Sequence, residues 1–104
     1  MKKYSICYSD EAYDDLRNIF NYIALIKQEP VNARNLINVI VETTSLLDAF
    51  PYKHPEVTYQ TINARCLIVK NQIVFYSVDE TNGVVNVLRI LSCKQDIYSY
   101  IKKN

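Results

Sequence analysis

Arg65 and Arg89 stand inside two strongly β-branched runs of a 104-residue chain, RCLIVK (65–70) and VVNVLRIL (84–91). Lys53 and His54 lie in the polar stretch before the first run, and Lys94 falls just past the second. A guanidinium presents a planar fork of donors that fits a phosphate or a carboxylate. Arginines alternating out of an apolar strand are also what an ordinary solvated sheet face contains, so residue type alone leaves both readings open. Charge is uneven: residues 1–51 hold five Lys or Arg against seven Asp or Glu, and residues 52–104 hold seven against four. The formal net charge is +1, which provides no overall field to gather nucleic acid, so any such binding must be local.

Tyr98 and Tyr100 follow the basic strand ends and could stack on a base or transfer a proton. A free tyrosine ionises near pH ~10, so proton transfer would need cationic neighbours, and Arg65 and Arg89 are the candidates. His54 is the only histidine, which excludes a two-histidine metal site and any Ser-His-Asp triad built without it. One glycine cannot build a phosphate loop or a dinucleotide fingerprint. Cys7, Cys66 and Cys93 are odd in number and widely spaced, so they read as reduced, small buried hydrophobes rather than a disulfide framework or zinc site. The acidic pairs Asp14-Asp15 and Asp79-Glu80 read as solvated charges on a helix and in a turn. No metal or cofactor is expected. Met1 to Tyr8 has no apolar core like that of a signal peptide, and no window is apolar enough to span a membrane, so a cytoplasmic protein is expected.

The elements that must position these residues follow from periodicity. Lys3 to Tyr8 reads as a strand that stops at Ser9-Asp10-Glu11, a helix start with a side-chain cap and two acids at the positive dipole end. Ala12, Leu16, Ile19, Phe20 and Ile23 then form one stripe of a helix running to about Lys27. Pro30 opens a second helix that ends near Phe50-Pro51, although NVIVETT (38–44) is β-branched enough to pass for a strand. Residues 52–63 read as a loop. Three strands follow at 65–70, 73–78 and 84–91, with Gly83 in the second connector where a positive φ is cheapest. Ile97, Tyr98 and Ile101 suggest a short closing helix. The order β-α-α-β-β-β-α gives a single domain over residues 1–104, α+β in class, with a helical hairpin packed on one face of a small antiparallel sheet and the other face partly open.

This pattern resembles the RelE/ParE superfamily of type II toxins, the plasmid stabilisation protein family. The likeness rests on RCLIVKNQIVFYSVDE (65–80), then VNVLRIL (85–91) and QDI (95–97), with YSDEAYDDL (8–16), IFNYI (19–23) and FP (50–51) in matching order. The resemblance implies a toxin neutralised by a cognate antitoxin, whose C-terminal segment folds on binding. In its ribonuclease branch, basic residues on the sheet polarise the scissile phosphate of messenger RNA on the ribosome without a metal. By position that implies catalytic roles for Arg65 and Arg89, proton transfer for Tyr98, and RNA binding for Lys53, His54 and Lys94. Ser92-Cys93 stands where the family usually has His or Tyr followed by Gly, and Gln95 replaces a common Arg. The ParE-like branch, which blocks DNA gyrase without those residues, is the alternative implied, together with an inactive antitoxin-binding relative.

Overall fold

The computed structural model describes residues 3–93 and the backbone of residues 101–103. β1 (Ser5–Tyr8) leads into α1 (Asp10–Asn21), and Ser9 caps the helix by accepting the Ala12 N–H at 3.0 Å. The last turn of this helix is a wider π-type turn, Tyr22–Ile26. α2 (Pro30–Ser45) starts on its proline and ends in a 3-10 turn, Leu46–Asp48. The β-branched run within residues 38–44 is therefore helical, because Ala33, Ile40 and Thr44 share the face that α2 buries.

Five more strands complete the sheet: β2 (Glu56–Tyr59), β3 (Ile62–Val69), β4 (Gln72–Asp79), β5 (Val84–Ser92) and β6 (Ile101–Lys103). Their spatial order is β1-β5-β4-β3-β2-β6. The α+β class with a helical hairpin on the sheet is as expected, and three details differ. The sheet is mixed rather than antiparallel, since β1 pairs parallel with β5. β2 occupies part of the expected loop; its hairpin turns at Gln60, φ 57°, where no glycine or asparagine marks the turn. Ile101–Lys103 is a strand rather than the end of a closing helix, because the free edge of β2 supplies ladder partners at Tyr59, Thr58 and Val57. The rest of the expected closing helix lies outside the described residues.

The two faces carry separate cores. Under the helices, Leu67, Val69, Val74, Tyr76, Val85, Val87 and Ile90 pack with Ala12, Ile40 and Leu47. On the other face, expected to be partly open, Val57, Tyr59, Ala64, Ile73, Phe75 and Leu91 form a second buried cluster. Burying one such aliphatic or aromatic side chain contributes roughly 1.5–3 kcal/mol. The β4–β5 ladder contains a bulge: Phe75 faces Arg89 and Tyr76 faces Val87, so Leu88 is the extra residue. Gly83 has φ 65°, as a hairpin turn requires. Cys7 and Cys93 are exposed, not buried as expected; Cys7 takes an outward position in the alternation of β1. No described helix is long and apolar enough to cross a membrane.

Candidate functional site

The two arginines leave the sheet on opposite faces, and the Arg89 guanidinium reaches Asp15 of α1. Arg65 on β3 faces Tyr76 of β4 and Glu56 of β2, which puts it in the row beneath the helices. Arg89 on β5 faces Phe75, one residue along β4 and so on the other face.

Arg65 organises the segment after α2. Its Nη1 donates to the carbonyls of Tyr52 (3.0 Å) and His54 (2.7 Å), and its Nη2 donates to Glu56 Oε1 (3.0 Å). The guanidinium carbon also lies 5.1 Å from the centre of the Tyr52 ring. The buried Tyr76 hydroxyl donates to Pro51 O at 2.7 Å, and burial pushes that phenol up to about 12. Tyr52 and Tyr4 both donate to Glu80 Oε2, at 2.7 and 2.5 Å, and the carboxylate raises both phenols by favouring their protonated form. Residues 50–55 are thus held to β3, β4 and the β4–β5 turn at once.

Lys53 and His54 lie in that segment, beside an apolar depression of about 350 Å³ floored by Leu47 and Leu67 and flanked by the exposed Leu46 and Phe50. Arg65 lines a different cavity, of about 230 Å³, with Glu56, Asn63 and Ser77. Partial burial, then the charges of Lys53 and Arg65, lowers the His54 pKa below its ordinary value. Tyr98 and Lys94 lie outside the described residues.

Arg89 is held by a carboxylate. Its Nε and Nη2 donate to the two oxygens of Asp15 at 2.8 and 3.0 Å, and Glu11 lies 3.8 Å from Nη1. The Asp15 hydrogen bond is the main reason the guanidinium is held even more firmly protonated than usual. Asp15 Oδ2 also accepts the Ile90 N–H at 2.9 Å, while the Ser9 hydroxyl donates to Leu88 O at 2.8 Å. These two side chains satisfy β5 backbone groups beyond the end of β1, a stretch that would otherwise present open edge groups. The sequence alone makes Asp15 a solvated acid. Its place three residues after Ala12 and four before Ile19, on the apolar stripe, was the signal that it faces the sheet. Glu80, read as a turn charge, is likewise engaged, and no spacing in the sequence announces its two tyrosine partners.

An α+β domain with a helical hairpin on a six-stranded sheet, whose two sheet arginines are held by groups of the same chain, defines the class by fold rather than by catalytic constellation. The family model for the ParE toxin of the type II toxin-antitoxin system, parDE, matches residues 6–97, and the chain belongs to this family. Solved structures share its fold. A chain of the chromosomal ParDE toxin-antitoxin system of Pseudomonas aeruginosa aligns with TM-score 0.70 at 22% identity, covering 86% of this chain and 96% of that one. The RelBE2 toxin-antitoxin complex of Mycobacterium tuberculosis gives 0.69 at 15% identity, covering 88% and 93%. The archaeal RelE-RelB complex of Pyrococcus horikoshii gives 0.64 at 12% identity, covering 89% and 98%. No curated protein sequence matches the chain significantly.

Proposed function

We propose that this chain is a growth-arresting toxin that works by occupying DNA gyrase, and that a cognate antitoxin restrains it in the cytoplasm. The carrying observation is the divergence of Arg65 and Arg89: they lie on opposite faces, and each is held by groups of its own chain. That arrangement favours the ParE-like binding reading over ribosome-dependent messenger RNA cleavage, in which both arginines would act on one phosphate. Arg65 and Arg89 are then positioning residues, which shape a surface without touching a reacting atom. The antitoxin is proposed because the similar solved chains come from toxin-antitoxin systems.

The test is induction of the chain alone in bacteria, with thymidine and methionine incorporation followed over the first minutes. An early fall in thymidine supports the gyrase reading. An early fall in methionine alone contradicts it and restores the ribonuclease assignment. Co-expression with the product of the adjacent reading frame should relieve the arrest, and failure to recover a complex would count against the antitoxin.

A further inference from the structure

Three irregularities meet at the far end of the sheet from residues 50–55. First, β4 places Gln72, Val74 and Tyr76 along the face beneath the helices; the latter two are core residues, but the first is an amide. Gln72 is 8% exposed, and its Oε1 is buried without a hydrogen-bond partner. A desolvated amide oxygen in that state is destabilising, and an apolar residue would fit the alternation better. Second, α1 gives way to its π-type turn here, with Lys27 N–H bonded to Tyr22 O at 3.1 Å. Such turns recur at functional sites. Third, Gln72 and Tyr22 line the same open cleft of about 640 Å³, a volume within the usual range for small ligands, roughly 300–1,000 Å³.

The chemistry of the walls is mixed in a specific way. Tyr22 is half exposed, and Lys27 Nζ stands 5.7 Å from the centre of its ring. Asn18 and Asn71 add amides, and Ile19 and Leu91 add apolar surface. Arg89 also borders the cleft but is already bound by Asp15, which leaves Lys27, among the described residues that line it, as the cation best placed to meet an anion. A fitting occupant has a flat ring with an N–H donor for Gln72, a face for Tyr22, and an anionic group for Lys27.

We propose that this cleft is a binding site for a nucleoside monophosphate, with its base inward on Gln72 and Tyr22 and its phosphate outward at Lys27. The site is separate from residues 50–55 and does not depend on the gyrase reading. Binding there would give the toxin a small-molecule input.

The test is titration of the purified chain with AMP, GMP, CMP and UMP up to about 5 mM, followed by amide and tyrosine NMR shifts. At least one nucleotide should saturate, with shifts concentrated at Tyr22, Lys27, Asn71 and Gln72. Gln72→Leu should weaken that binding about tenfold while raising the thermal midpoint, because it removes an unpartnered buried amide oxygen. Lys27→Ala should weaken the nucleotide and leave the weaker binding of its nucleoside unchanged. No saturable shift with any of the four would overturn the proposal. So would inorganic phosphate reproducing the whole shift pattern, or Gln72→Leu folding with undiminished affinity.

Discussion

Arg65 and Arg89 occupy related positions on the outer strands of the β3–β4–β5 meander, yet they do different work. Arg89 meets a carboxylate from α1 that also takes a backbone N–H of β5, so one acid locks helix to sheet and finishes a strand edge. Arg65 meets mainly backbone carbonyls, and its acid partner Glu56 is well exposed. One ion pair is a structural joint of the fold, and the other is a brace for a surface segment. Arginine on a strand therefore says little about chemistry until its partners are known.

That contrast sets the order of expected effects. Asp15→Ala removes the carboxylate that holds both the mostly buried Arg89 guanidinium and the Ile90 N–H, and should cost about 3 kcal/mol in urea unfolding. A loss below about 0.5 kcal/mol would erase the distinction between the two arginines. Tyr76→Phe removes the buried hydrogen bond to Pro51 and should cost about 1–1.5 kcal/mol, with added mobility of residues 50–55 in hydrogen exchange. Glu56→Gln weakens only the exposed half of the Arg65 brace, and its cost should stay within about 0.5 kcal/mol.

The smallest effect expected is a pH slope at His54. Its folded pKa is lowered, so as pH falls the unfolded chain takes up a proton first and stability declines. The decline should begin near pH ~6.5 and level off once the folded state is protonated too. His54→Asn should flatten that part of a stability profile, and an unchanged slope would assign it to another group.

Much of the fold was legible because local and long-range signals agreed. Ser9 with its two following acids, the apolar stripe from Ala12, Pro30 and Gly83 each marked an element boundary or turn that the structure contains. β2 was illegible because its hairpin turns on Gln60 and Thr61, which carry no turn signal. β6 was illegible because its pairing comes from a distant edge and overrides the helical spacing of the tail. At the candidate site, the arginines were visible as residues, while their partners were not. Cross-strand register decides that Arg65 and Arg89 face apart, and a single bulge at Leu88 contributes to that register. Asp15 could have been found from its place on the apolar stripe, but Glu80 could not.

The most direct test of the binding account is a supercoiling assay with purified DNA gyrase, relaxed plasmid and ATP, with no ribosome present. The account predicts that the chain inhibits supercoiling in proportion to its concentration, that Arg65→Lys retains this inhibition, and that the cognate antitoxin reverses it. Full supercoiling at saturating toxin, with cleavage of messenger RNA by the same preparation in a translating extract, would contradict it.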